Sequence, residues 1–191
     1  IADSVGVGKT IEAGLILREL QARQTLRRVM VLCPRPLVTE SKWRNELTRF
    51  DEDFVHLDGK QLRYCINETW YDGEWPERYD RVIVPYSLIT QDLLEGDGRQ
   101  KGLLDLDSPP HFDLLILDEA HSIRNPTTLR HLVARYLCEN ATAVLFLTAT
   151  PIQLRIEDLF VLLNTLRPDV FLDMAAFGAI TEPNPYINRA A

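Results

Sequence analysis

The chain predicts an α/β fold built on a mostly parallel sheet, and three observations carry that expectation. Short, continuously apolar runs alternate with longer runs of helical spacing along most of its length. The apolar runs are polar on neither face, which fits strands covered on both sides by helices. Two of these runs also end abruptly in chemically distinctive residues: Asp118-Glu119 after residues 114–117, and Thr148-Ala149-Thr150 after residues 143–147.

Taken in order, residues 9–24 carry Ile11, Leu15, Ile16 and Leu20 at a helical spacing. Val29-Met30-Val31-Leu32-Cys33 reads as a buried strand stopped by Pro34 and Pro36. Residues 37–50 read as one helix with Val38, Trp43 and Leu47 on one side. Residues 54–57 are a second strand, closed by the turn pair Asp58-Gly59. Residues 81–84 are a third strand, with a helix over 86–94 after it. Residues 114–117 form the most apolar strand, followed by a helix over 127–138. The last strand is 143–147, and a helix over 156–166 stops before Pro168.

Two segments break the rhythm. Residues 68–80 are acidic and aromatic and read as an irregular insertion or hairpin, with Trp70, Tyr71, Trp75 and Tyr79 as a local hydrophobic cluster or a stacking surface. Residues 95–110, rich in Gly, Asp and Pro, read as a surface loop. Arg27-Arg28 reads as a solvated face, and His56, His111 and His131 have no evident partners in sequence.

The bulk composition narrows the class. With 191 residues, 46% hydrophobic and 26% charged, the chain suits one sizeable globular core plus a fragment. No apolar run is long enough to span a bilayer. Cys33, Cys65 and Cys138 are an odd, scattered set, which favours reduced thiols over a disulfide framework or a zinc site. A net charge of −7 excludes a surface that grips nucleic acid everywhere but is compatible with a local basic groove. The start without Met is expected to lie inside a domain, with Ile1 and Ala2 as the remnant of a strand. Residues 169–191 are expected to begin a following segment, so the domain is expected over 1–168.

The chemistry assembles from three segments. In Asp3-Ser4-Val5-Gly6-Val7-Gly8-Lys9-Thr10, Gly6 and Gly8 let the backbone curl so that N–H groups face an anion. The helix that follows adds the positive end of its dipole. Lys9 is placed to reach the β- and γ-phosphates of a nucleoside triphosphate, and the Thr10 hydroxyl to sit on Mg²⁺. Asp118, at a strand's carboxyl end, can meet the same ion, and Glu119 can orient or deprotonate an attacking water. Thr148 and Thr150 either hydrogen-bond His121 or the carboxylates, or cap the next helix. His121 itself is either a coupling residue or a structural hydrogen-bond partner.

Four stretches in order, DSVGVGKTIEAGL, LCPRPLV, DEAHSIRN and LTATPIQ, resemble motifs I, Ia, II and III of superfamily 2 helicases. The variants look like the Swi/Snf branch of double-stranded DNA translocases, in particular its bacterial members. The resemblance covers residues 1 to about 170. It implies a RecA-like P-loop NTPase domain, a three-layer sandwich with a mostly parallel sheet. It implies ATP and Mg²⁺ as cofactors, double-stranded DNA as partner, and a second RecA-like domain in the same parent chain. Gly6, Val7, Gly8, Lys9 and Thr10 would hold the nucleotide. Lys9, Asp118 and Glu119 would be catalytic, and Thr10 and Asp118 would hold the metal. His121, Thr148 and Thr150 would couple nucleotide state to DNA. Pro34, Arg35, Pro36, Tyr86 and Ser87 would meet one DNA strand's backbone. A protein of the bacterial cytosol or nucleoid, with no membrane partner, is the implied setting.

The stretches depart from the family pattern at Ser4, usually Glu, at Val7, usually Leu, and at Leu154, often Asn. None removes phosphate or metal chemistry. A strand-separating or restriction-type helicase, and a non-catalytic binding module with relic motifs, remain the alternatives to a translocase.

Overall fold

The computed structural model describes residues 1–2, 8–149 and 155–181. In order, the elements are α1 (Lys9–Arg23), β1 (Val29–Cys33), α2 (Arg35–Thr39), α3 (Lys42–Thr48), β2 (Val55–His56), α4 (Gly59–Asp72), β3 (Arg81–Pro85), α5 (Gln91–Glu95), β4 (Phe112–Asp118), α6 (Leu129–Glu139), β5 (Ala141–Leu147), α7 (Ile156–Leu166) and α8 (Met174–Thr181). Short 3₁₀ turns follow β3 at Tyr86–Leu88 and β4 at Ala120–Ile123.

The five strands make one sheet in the order β2-β3-β1-β4-β5, and every pairing is parallel. Ala2 forms a further parallel bridge to Thr148, and the Thr148 N–H donates to the Ile1 carbonyl at 3.0 Å. The first residues therefore lie beside the carboxyl end of β5.

Alternation along each strand feeds two cores. Val29, Val31, Leu114, Ile116 and Ile83 pack with Ala13 and Leu17 of α1 and Trp43 and Leu47 of α3. Met30, Leu32, Leu115, Leu117 and Val82 pack with residues of α4, α5, α6 and α7 on the other face. Both faces are apolar because both are covered, which gives the three-layer sandwich. Cys33, Cys65 and Cys138 are free and buried, and burial pushes each thiol up to about 12.

Three segments differ from the sequence reading. The expected insertion at 68–80 is in part the end of a regular helix, α4. Asp58 Oδ1 accepts from the Gln61 N–H at 2.8 Å, and Gln61 Oε1 accepts from the Asp58 N–H at 2.9 Å. That reciprocal cap starts the helix, and Leu62, Cys65, Ile66 and Thr69 form its buried stripe. Gly73, at φ 74°, ends it in the left-handed region. The expected single helix over 37–50 is broken in two. Ser41 adopts φ 52°, and the Thr39 hydroxyl turns back onto the Pro36 carbonyl at 3.0 Å. The expected helix over 86–94 is likewise a 3₁₀ turn followed by α5, which starts where the Thr90 side chain caps Leu93.

The aromatic cluster divides. Trp70 and Tyr71 are exposed at the end of α4, while Trp75 and Tyr79 are buried. The Trp75 indole donates to the Tyr79 carbonyl at 2.7 Å and meets Phe112 of β4 edge-on at 5.3 Å. Trp75→Ala removes a fully buried ring and that hydrogen bond, and is expected to cost about 3–5 kcal/mol of stability. An unfolding free energy from urea titration within about 1 kcal/mol of wild type would show that the ring is not the anchor of this face. Arg27 and Arg28 are also more than a solvated face. Their side chains pair with Asp80, Glu77 and Glu74, and their backbone N–H groups donate to Asp113 of β4 at 2.7 and 2.8 Å.

Candidate functional site

Helix α1 starts at Gly8, whose φ of 95° and ψ of 23° suit a residue without a Cβ. Gly8 itself brings no capping side chain, and this first turn is the positive end of the helix dipole. The Gly8 carbonyl accepts from Ile11 and Glu12, which fixes the first turn. Lys9 and Thr10 are half-buried there. Gly6, Val7 and Thr150, also expected at the site, lie outside the described residues.

Strand β4 delivers the second segment. Asp118 is its last residue, in register with Leu147 of β5, and is only 6% exposed. One carboxylate oxygen accepts from the Trp43 indole at 2.8 Å and the other from the Glu119 N–H at 2.9 Å. Burial pushes the Asp118 carboxyl above its ordinary value, and these two donors pull it part of the way back. Its main-chain carbonyl accepts from the Tyr86 hydroxyl at 3.0 Å. Glu119 follows at φ 51°, a left-handed conformation that costs a non-glycine residue about 1 kcal/mol or more. That turn swings its side chain out of the sheet line. His121 Nδ1 lies 3.2 Å from Glu119 Oε2, although neither atom makes an aligned hydrogen bond.

The two segments meet. Gly8, Lys9 and Thr10 share one cleft of about 250 Å³ with Asp118 and Glu119. Leu37, Lys42 and Glu46 close its side, and sequence reasoning did not anticipate them. Their only signal was position: Lys42 and Glu46 stand one helical turn apart on the solvent side of α3. Trp43 was read as a core residue, and nothing in its spacing announced a polar partner.

A Thr hydroxyl and a carboxylate are hard oxygen donors, the kind Mg²⁺ takes while keeping waters and phosphate oxygens as its other ligands. Among the described residues no group of three or more His, Cys, Asp or Glu could hold a metal by itself. The donor set therefore fits an ion that arrives with a phosphate. Asp118, buried and carrying a raised pKa, is a carboxylate that a cation would stabilise in its ionised form.

The remaining expected residues sit at neighbouring strand ends. Thr148 is buried just past β5. Pro34 is half-buried, and Arg35 and Pro36 are exposed at the start of α2. Ser87 is exposed after β3. Tyr86 needs correction as a DNA-facing side chain: it is 3% exposed, and its hydroxyl is committed to the Asp118 carbonyl. His131, without a partner in sequence, is buried with Nδ1 2.8 Å from the Ile123 carbonyl, so it braces the turn that follows Glu119.

Comparison with known proteins agrees with this geometry. The SNF2-related domain family matches residues 1–184. The uncharacterized ATP-dependent helicase YqhH of Bacillus subtilis (strain 168) is 35% identical over 173 residues, 88% of this chain and 26% of its own length. RNA polymerase-associated protein RapA of Pasteurella multocida (strain Pm70) is 36% identical over 188 residues, 93% of this chain and 18% of its own. The chain thus spans about a quarter or less of these curated relatives. The SWI2/SNF2 ATPase core of Sulfolobus solfataricus, solved in complex with dsDNA, superimposes with a TM-score of 0.67 at 22% identity, over 93% of this chain and 33% of that one. The Hef helicase domain of Pyrococcus furiosus gives a TM-score of 0.56 at 23% identity, over 86% of this chain and 32% of that one. At those identities the likeness speaks for the fold. Sequence match, sheet and cleft together make the chain a member of the SNF2-related domain family, with the RecA-like fold of the N-terminal motor domain in the Swi/Snf branch of superfamily 2.

Proposed function

We propose that this chain is the ATP-binding half of a motor that hydrolyses ATP with Mg²⁺ and moves along double-stranded DNA. The observation that carries the proposal is the convergence of Lys9 and Thr10 with Asp118 and Glu119 in one cleft. Lys9 supplies a point charge for the β- and γ-phosphates, and the first turn of α1 adds the dipole end. Thr10 and Asp118 would hold Mg²⁺, which on binding neutralises charge between the phosphates. Glu119 orients the attacking water and takes its proton. Such a reaction asks little covalent chemistry of the protein, mainly positioning and charge.

His121, Thr148 and Thr150 are proposed to relay nucleotide state. The exposed ends after β1 and β3, at Arg35, Pro36 and Ser87, are proposed to meet one strand's phosphates. Backbone contacts without base contacts suit a motor indifferent to sequence. A second RecA-like domain of the parent would close the cleft and supply further positive charge. The motor half is taken to run to about residue 168 and the parent to work in the bacterial cytosol or nucleoid. Among the described residues no helix is long and apolar enough to cross a membrane.

The test is ATP turnover by the full-length parent and by this chain alone, each with and without duplex DNA. Turnover stimulated by duplex DNA in the parent, and very slow in the isolated chain, is the expected result. Rapid DNA-stimulated turnover by the isolated chain would remove the need for a second domain. A parent that binds no ATP–Mg²⁺ would make the motifs relics. Strand displacement by the parent would make it a helicase rather than a translocase.

A further inference from the structure

We propose that Trp43 and Tyr86 are positioning residues that clamp Asp118 and link the nucleotide cleft to the strand ends after β1 and β3. The proposal rests on the motor reading above and adds to it how the two sites are joined. Asp118 is held at three atoms. Its Oδ2 accepts from Trp43 Nε1 at 2.8 Å, its Oδ1 from the Glu119 N–H at 2.9 Å, and its carbonyl from the Tyr86 hydroxyl at 3.0 Å. The first two fix the carboxyl plane, so the lone pairs left over have one direction. The third fixes the main chain from which that carboxyl hangs. The two side-chain donors are out of water: Trp43 is 0% and Tyr86 3% exposed. An indole N–H can only donate, so no rotation of Trp43 offers a substitute, and a lost bond leaves a buried acceptor unpaired.

The clamp's two outer members belong to different segments. Trp43 lies on α3, the helix that follows α2 with its exposed Arg35 and Pro36. Tyr86 is the direct neighbour of exposed Ser87. A phosphate backbone seated after β3 therefore acts on Asp118 through Tyr86, and one seated on α2 acts on it through α3 and the Trp43 indole. Coupling of this kind is reciprocal: nucleotide and metal at Asp118 bias the same two segments.

The experiment uses the full-length parent, with binding of a non-hydrolysed ATP analogue measured by calorimetry in Mg²⁺ and in EDTA, without and with duplex DNA. Trp43→Phe keeps an aromatic ring and deletes the N–H. Tyr86→Phe deletes one oxygen. Leu47→Val, on the same buried face of α3, loosens packing without touching Asp118 and serves as the control. Trp43→Phe is expected to lower the gain in affinity conferred by Mg²⁺ by about 10-fold or more, as loss of an outer partner of a metal ligand does, with affinity in EDTA little changed. Tyr86→Phe is expected to shrink the factor by which DNA alters analogue affinity. Leu47→Val should leave both ratios as in wild type. Ratios in both phenylalanine variants equal to those of Leu47→Val would overturn the proposal. If Trp43→Phe does not fold, Tyr86→Phe alone decides, since it removes no packing. A wild type whose affinity ignores Mg²⁺ would instead sink the motor reading, and the clamp with it.

Discussion

Lys9→Ala in the full-length parent is expected to lower ATP turnover by about 10²-fold or more, because a charge aimed at the transferring phosphate is among the largest single contributions to such sites. Lys9 sits at the first turn of α1, in the cleft it shares with Asp118 and Glu119. The first turn of α1 and its dipole stay in place in the variant, so weakened nucleotide binding should persist while turnover collapses. Stability should change by no more than about 0.5 kcal/mol, since Lys9 contributes to neither buried core. Steady-state hydrolysis at saturating duplex DNA, with a urea melt as the folding control, reads both. Unchanged turnover would mean that the loop before α1 holds no phosphate.

Glu119→Gln is expected to separate binding from chemistry more cleanly. It keeps the shape of the side chain and removes its basicity, so ATP–Mg²⁺ affinity should hold while turnover falls by about 10²–10⁴-fold. The backbone at this position adds a second readout. Glu119 is held at φ 51° and ψ 51°, where a Cβ crowds the chain. Glu119→Gly relieves that crowding and is expected to leave the fold no less stable than wild type, by up to about 1 kcal/mol more stable, while turnover is lost. Turnover within a few-fold of wild type in Glu119→Gln would move the base elsewhere.

Much of the fold was legible because its strands are covered twice. The run Val29 to Cys33 is buried at every residue, and its observed bounds are the apolar run itself. The core of β4 and β5 was visible for the same reason, while their first residues, Phe112 and Ala141, were missed because polar residues interrupt the runs there. Helix α4 went unseen because Asp58-Gly59 was weighed as a turn. The informative pair was Asp58 with Gln61, a reciprocal cap whose effect is three residues long rather than two. The break between α2 and α3 depends on Ser41 in the left-handed region, a conformation that serine does not advertise.

The site divides along a similar line. Lys9, Thr10, Asp118 and Glu119 were legible as types at particular chain positions, since each stands where a strand ends or a helix begins. Lys42, Glu46 and the indole of Trp43 were not, because their part in the cleft comes from how α3 crosses the sheet. Tyr86 shows the limit of reasoning by segment. Its neighbour Ser87 is on the surface, while its own ring faces inward to Asp118.

The doubly apolar character of β4 has a consequence for how the chain finds its alignment. From Leu114 to Leu117 both faces are hydrocarbon, so polarity does not tell a correct pairing from one slipped by a residue. The two carboxylates that bracket this stretch do. Asp113 is pegged to the backbone N–H groups of Arg27 and Arg28 ahead of β1, and Asp118 to the indole of Trp43 on one side of the sheet only. A one-residue slip would turn each to the other face of the sheet, away from these partners. The same carboxylate that lines the cleft thus proofreads the assembly of the strand that carries it.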